Sequence, residues 1–406
     1  MHVSSRDNQG GAHKASYRIH QALLKADLES EIFVQRKFSD DFRVHSPKSK
    51  LQKVLAQFRV NIDLLPLRRY KNRSDTTFSA AIVPSNYVKQ INRFNPDIIH
   101  LHWINEGMFR IEDLTKFNKP IVWGLQDMWP FTGGCHYDEG CGRYVEKCGR
   151  CKVLRSSVNK DLSRKVFIRK QKSFNKINNL TITGVSTWIC DSAKRSSLFK
   201  DRKVVKLPNL LDTSLYKPIS KEIAHSLMGI PKNRKTVLFG AISATSDKRK
   251  GFEILKKALD IIKTDNVQLV IFGSSRPEIS FFTSHPTYFM GHLFDDYSLC
   301  ALYNCADVMV APSLQEAFGQ TLTESMSCGT PVVSFNSTGP KDIVDHKVNG
   351  YLAEPYNHKS LAAGIDWVLN HTDHEQLRIN SRNKVVMDFD ADNNISKYID
   401  LYKSIL

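Results

Sequence analysis

Apolar residues follow two rhythms along this chain. Short continuous runs recur, among them Ile32-Phe33-Val34, Ile121-Val122-Trp123, Thr181-Ile182-Thr183-Gly184-Val185, Val237-Leu238-Phe239, Val267-Gln268-Leu269-Val270-Ile271-Phe272 and Val308-Met309-Val310. Each ends in glycine, serine, proline or a polar cluster, the pattern of strands covered on both faces. Between them, apolar residues three and four apart mark helix faces, as over residues 13–25, 50–60, 160–175 and 395–403. Strand–helix alternation through both halves predicts the α/β class, with two parallel-sheet, Rossmann-like domains. The length, 406 residues, exceeds what one compact core holds, and 41% hydrophobic residues supply enough for two. No internal repeat or low-complexity segment interrupts the pattern.

In parallel α/β sheets, ligands gather beyond the carboxyl ends of the strands, so strand exits hold the candidate chemistry. The first exit reads Asn8-Gln9-Gly10-Gly11-Ala12, a turn that lets a ligand approach the backbone. Another ends at His102 and Trp103, both candidates to face a ligand. In the second half, Asp247-Lys248-Arg249-Lys250-Gly251 puts positive charge beside a glycine that opens a helix, which suits a diphosphate. The densest exit is residues 311–333, APSLQEAFGQTLTESMSCGTPVV. Glu316 closes its loop, Gly319 permits close approach, and a helix carrying Glu324 starts near Thr321. Amides around Gly319, Gln320 and Thr321 then form an anion site. Two carboxylates for hydroxyls and a helix start for phosphate are what a nucleoside diphosphate sugar requires.

Glu316 and Glu324, framed by Pro312-Ser313 and Phe318-Gly319, resemble the donor-site signature of family 4 glycosyltransferases, retaining enzymes of the GT-B fold. The string DMWPFTGGCHY at residues 127–137 resembles the subgroup that assembles bacterial exopolysaccharide or O-antigen, of the colanic-acid type. The resemblance covers nearly the whole chain. It implies an acceptor domain (1–215), a donor domain (216–385) facing it across a cleft, and a terminal helix (386–406) that crosses back. It places Glu316 on sugar hydroxyls and Glu324 on ribose hydroxyls. Lys250, Arg249 and the helix start at Gly319, Gln320 and Thr321 fall on the diphosphate, His292 and Leu293 near the nucleobase, and Gly10-Gly11 in the cleft. Gln126 and Asp127 join Glu316 as catalytic candidates. The implied reaction is retaining transfer to a lipid-linked saccharide acceptor in surface-polysaccharide synthesis. No D-x-D pair of acids marks the donor site, so no catalytic metal or other cofactor is expected. Two positions depart from the family. Gln126 stands where the subgroup has histidine, and Ala244 where many members have arginine. They raise a second reading, a degenerate transferase acting as a scaffold.

Charge adds a partner. The formal net charge is +17, and it is uneven: residues 36–73 hold 11 Lys/Arg against 3 Asp/Glu, and residues 143–172 hold 11 against 2. An anionic membrane, nucleic acid, an acidic substrate or a plainly basic surface would each account for this. Nucleic acid is not expected, because no zinc-finger or RNP pattern occurs and the basic residues are not interleaved with aromatics. Leu51, Val54, Leu55 and Phe58 recur at helical spacing, flanked by Lys50, Lys53 and Arg59. That suits a helix at an anionic membrane interface, or one docked on its own domain. No apolar run reaches the roughly 18 residues of a membrane span. The first residues lack a secretory signal's apolar core, so a cytoplasmic protein, peripheral at the inner membrane face, is expected. Of eight cysteines, Cys135, Cys141, Cys148 and Cys151 are clustered. They read either as a closed structural zinc site, with His136 as a substitute ligand, or as reduced thiols in a packed hairpin. Cys190, Cys300, Cys305 and Cys328 lie in apolar segments as core residues.

Overall fold

A computed structural model describes residues 1–47, 49–274 and 284–406, without the side chains of Lys50 and Leu51. The chain forms two compact units, Met1–Pro208 with Ile395–Leu406, and Asn209–Asn394. The first unit contains β1 (His2–Arg6), α1 (Gly11–Lys25), β2 (Ile32–Arg36), β3 (Val44–His45), α2 (Lys50–Leu64) and α3 (Tyr87–Arg93). It continues with β4 (Ile99–Leu101), β5 (Ile121–Leu125), α4 (Leu162–Phe174), β6 (Leu180–Gly184), α5 (Thr187–Arg195) and β7 (Val204–Lys206). The second contains α6 (Lys221–Met228), β8 (Lys235–Gly240), α7 (Phe252–Leu259), β9 (Val267–Phe272), β10 (Thr287–Phe289) and α8 (Asp296–Cys305). After these come β11 (Val308–Ala311), α9 (Gln320–Ser327), β12 (Val332–Phe335), β13 (Gly350–Ala353), α10 (His358–Leu369) and α11 (His374–Asp388). Helix α12 (Ala391–Lys403) begins in the second unit and ends in the first.

Both sheets are parallel, ordered β3-β2-β1-β4-β5-β6-β7 and β10-β9-β8-β11-β12-β13. In each, the unit's first strand lies beside its fourth, β1 by β4 and β8 by β11. There the order reverses, and loops leaving the two strands part to leave room for a ligand. The apolar runs of the second unit fill one core, in which Val237, Phe239, Leu269, Ile271, Val310 and Phe335 pack against Leu255 and Ile365. In the first unit Phe174 and Phe199 stack on each other and meet Trp123, at the centre of β5, edge to face. Polar side chains close the helix starts, as Asp161 accepts from Arg164 N and Asp295 from Ser298 N.

The units divide at Pro208, earlier than the expected boundary at 215. Residues after it are tied to the second unit: Leu211 bridges to Asp390, Thr213 Oγ1 donates to Asp390 Oδ2 (2.6 Å), and the Ser327 hydroxyl donates to Tyr216 O (2.5 Å). At the other end, Tyr402 Oη lies 2.7 Å from His100 Nδ1, and Tyr398 donates to Pro208 O at 2.9 Å. From Ile395 on, the last helix is thereby part of the first unit.

Candidate active site in the second unit

At the point where the second sheet reverses, the exits of β8 and β11 meet. The turn at Lys248–Lys250 ends in Gly251, whose φ of 75° belongs to the left-handed region. A Cβ there would lie 1.9 Å from Pro312 O, so only glycine lets this turn press against the exit of β11. The contact brings Lys250 Nζ to 2.6 Å from Glu316 Oε2. Arg249 lies 3.7 Å from the same oxygen, while its guanidinium also holds Gln315 O (3.0 Å) and Asp247 Oδ2 (2.9 Å). The Glu316 backbone is pinned as well: its N–H donates to Thr338 Oγ1 at 3.2 Å, and its carbonyl accepts from Gly339 N at 2.9 Å. Burial alone would push the Glu316 pKa up, but Lys250 and Arg249 outweigh it and hold the carboxyl below its usual range.

Lys250 and Glu316 face a cavity that Gly240, Ser313, Gly319 and Thr321 also help to line, while Arg249 is not among its lining residues. Helix α9 starts at this cavity. Gly319, with φ at 118°, precedes it and brings no side chain of its own to cap the helix. The N-terminal end of the helix dipole is thus directed at the same space as the Lys250 ammonium and the Glu316 carboxylate.

Glu324 occupies a different setting. It is buried inside α9, and its Oε2 accepts the hydroxyl of Tyr303 from α8 at 2.8 Å. Burial, and then the nearby Glu324 charge, push the Tyr303 pKa well up. Glu324 and Gln320 are not among the residues lining the cavity. His292 is exposed and Leu293 half-buried in the loop after β10. Ala244 is fully buried in the core, so Arg249 supplies the guanidinium beside Glu316. Sequence reasoning missed Ser313, Tyr303 and Thr338. Ser313 stands in the quoted frame, whereas the other two reach the site from separate elements that carry no local signal.

In the first unit, Gly10 has φ at 103° and Gly11 opens α1 at the exit of β1. Gln126 follows β5 and is half-buried. Asp127, expected to face a ligand, instead lies inside the protein, 7% exposed. Its oxygens accept from the Trp103 indole (2.8 Å) and Trp129 N (2.8 Å), and Oδ2 lies 2.6 Å from His136 Nδ1. The other His136 nitrogen lies 2.9 Å from Ser79 Oγ and from Asn105 Nδ2. With both ring nitrogens engaged, His136 is not available as the zinc ligand the sequence suggested.

His102 is likewise interior. Its Nε2 lies 2.9 Å from His2 Nδ1, and burial pulls its pKa down to about 3. Among the described residues, His2, His100 and His102 are the three metal-capable side chains gathered within 4.8 Å of one another. The His100 and His102 rings lie tilted against each other, with centroids 4.1 Å apart and 30° between planes.

Cys135, Cys148 and Cys151 are buried and Cys141 half-buried, all as free thiols. Cys135 and Cys151 pack with Leu67, Phe78, Val153 and Leu154. Burial, reinforced by the other cysteines, pushes the Cys135 thiol well up and Cys148 to about 12. Lys170 lies beside Cys135 and Cys148 and is fully buried, its ammonium 3.7 Å over the Trp129 ring and 3.1 Å from Thr132 O.

Comparison with known proteins agrees with this geometry. Residues 221–384 match the family described as glycosyl transferases group 1. An uncharacterized glycosyltransferase of Methanocaldococcus jannaschii is 33% identical over 43% of this chain, and the match spans only 46% of that protein. The putative colanic acid biosynthesis glycosyl transferase WcaC of Escherichia coli K12 is 22% identical over 83% of this chain and 82% of its own length. Among solved structures, HepE of Anabaena, crystallised with UDP and glucose, superposes with a TM-score of 0.65 at 16% identity, covering 100% of both chains. Residues 221–384 are thus similar to the group 1 glycosyltransferases, within a chain that has the GT-B fold.

Proposed function

We propose that this protein moves a sugar from a nucleoside diphosphate donor to a lipid-linked saccharide in the assembly of a bacterial surface polysaccharide. The observation that carries this reading is the Lys250–Glu316 pair at the glycine-led start of α9. In the donor complex the Lys250 ammonium moves from Glu316 to the diphosphate, joined by Arg249 and the first amides of α9 around Gly319, Gln320 and Thr321. Glu316, released, accepts hydroxyls of the transferred sugar. As the sugar–phosphate bond breaks, negative charge grows on the departing diphosphate, and these fixed donors stabilise it without reorganisation. Glu324, oriented by Tyr303, takes the ribose hydroxyls, and His292 with Leu293 flanks the base. Nothing in this scheme requires a catalytic metal ion, because two cations and a helix end neutralise the leaving group.

No protein nucleophile enters the scheme. The acceptor hydroxyl attacks on the face the diphosphate leaves, its proton passes to the departing phosphate oxygen, and the anomeric configuration is retained. Gln126 offers an amide donor to the sugar, and Asp127 acts by positioning Trp103 and His136. HepE, bound to UDP and glucose, and WcaC, named for colanic acid, support the donor and pathway classes respectively. Arg249, standing where Ala244 cannot contribute charge, favours a working enzyme over a degenerate scaffold. For the cysteine lobe we propose a structural zinc held by Cys135, Cys141, Cys148 and Cys151, whose sulfurs would close in around it from their present spacing, since no three of them lie within 4.8 Å of one another, with the buried Lys170 offsetting the surplus charge of four thiolates. The reaction is tested by incubating the protein with nucleotide sugars and a lipid-linked oligosaccharide extract and reading the product anomer by NMR. Retained configuration is expected, and an inverted product overturns the mechanism.

A further inference from the structure

Helix α2 is attached to the first unit by its polar side. The Arg59 guanidinium donates to Gly107 O (2.7 Å), Val83 O (3.1 Å) and Met108 O (3.3 Å). Asp63, 3% exposed, accepts from Ile82 N at 2.9 Å. Between them Ala56 is fully buried, and its carbonyl accepts from the Gln35 amide at 3.4 Å. The opposite side is apolar and turned to solvent. Val54, Leu55, Phe58, Ile62 and, one residue past the helix, Leu65 are each between 42% and 56% exposed. At the α-helical angle per residue these five fall within about 100° of arc, centred opposite Ala56 and Asp63. A helix docked for its own stability would face the other way, with its apolar stripe inward. Exposed Arg68, Arg69, Lys71 and Arg73 follow Leu65 in the chain and border the stripe at its C-terminal end, whereas exposed Lys53 lies on the other side of the helix, about 150° from the centre of the stripe.

We propose that α2 and the turn after it dock the protein on an anionic lipid surface. An apolar stripe bordered by lysine and arginine inserts at the headgroup–acyl boundary while its cations meet lipid phosphates. A second copy of the chain is a poor occupant. A two-fold contact would bring the same basic border against itself, in a protein of net charge +17. Nucleic acid would use the cations but leave the apolar stripe exposed. The proposal deepens the transferase reading by locating its acceptor at a membrane, yet it rests on the helix alone.

The test is co-sedimentation of the full chain with vesicles of phosphatidylcholine alone or mixed with phosphatidylglycerol. Expected are binding to the anionic vesicles only, weakening with salt, and a loss of at least about tenfold in the V54S/F58S/I62S variant. Those side chains are exposed, so an unchanged melting temperature and an unchanged thermal shift with nucleotide sugar should accompany the loss. Equal vesicle binding by the variant and the parent, or binding by neither, overturns the proposal. So does a dimer, seen by light scattering without lipid, that the three serines dissociate, or duplex DNA binding that displaces the vesicles and ignores the serines. Loss of the sugar-nucleotide shift in the parent would instead count against the transferase reading and leave lipid docking standing.

Discussion

Glu316 is ionised because two cations overrule its burial, and this ties its chemistry to Lys250 and Arg249. Glu316→Gln keeps shape and removes charge. Transfer should fall by about 10²–10³-fold in kcat, with the melting temperature little changed; a variant retaining near-parental turnover would remove Glu316 from the reaction. The same balance fixes a pH dependence. A carboxyl whose folded pKa lies below its ordinary 4.5 stabilises the fold above that pH, and the contribution is lost as pH falls through the folded value. In Lys250→Met the largest opposing charge is gone, Arg249 and Ser313 alone counter the burial, and the folded pKa rises. The acid limb of the melting-temperature profile should then start at a higher pH than in the parent, and an unmoved limb would show that Lys250 does not set the Glu316 charge. The sequence marked Lys250 before Gly251 and Glu316 in its frame as separate strand exits, and it is the close contact of Gly251 with Pro312 that pairs them. The setting of Glu324 could not be expected from the sequence. Its partner Tyr303 lies on α8, and helical periodicity says nothing of which phenol meets which acid. Asp127 and His102 show the same limit: both stand at strand exits, but Trp103, His136 and His2 draw them inward through contacts distant in sequence.

Among elements, the turn at Gly251 positions the site most directly. Gly251→Ala adds a Cβ against Pro312 O in a left-handed conformation. A loss of about 1–3 kcal/mol in chemical denaturation is expected, together with weaker donor binding as Lys250 is displaced; a neutral substitution would mean the two exits are not locked together. The cysteine lobe makes a compositional prediction. Elemental analysis of the purified protein should find one zinc per chain, lost in Cys148→Ser along with part of its thermal stability. A metal-free parent of full stability would leave these residues as packed thiols. Runs such as Val267–Phe272 were readable as strands because both sheet faces are covered and the run is unbroken. The case of α2 is the reverse. Its period marked a helix, but whether the apolar side faced inward depended on Arg59 and Asp63 finding partners on other segments.

For the whole molecule, the two sheets repeat one strand order, and each brings its first and fourth strands together where a ligand can enter. The second unit fills that place with charge, and the first with Gly10, Gly11 and a largely interior polar cluster. Alternating strands and helices made two α/β domains and a terminal helix readable in advance. The dividing point was not, because Leu211, Thr213 and Tyr216 join the second unit through partners more than a hundred residues away. Among the described residues no helix is long and apolar enough to cross a membrane. The claim on which the rest depends is that Lys250, Glu316 and the start of α9 grip a nucleoside diphosphate sugar. It is tested most directly by thermal shift with a panel of UDP-, GDP- and ADP-sugars, on the parent and on Lys250→Met. One base should raise the parent's melting temperature saturably, as a native-state ligand must, with the rise lost or much reduced in the variant. No shift with any member, or an equal shift in Lys250→Met, would contradict it.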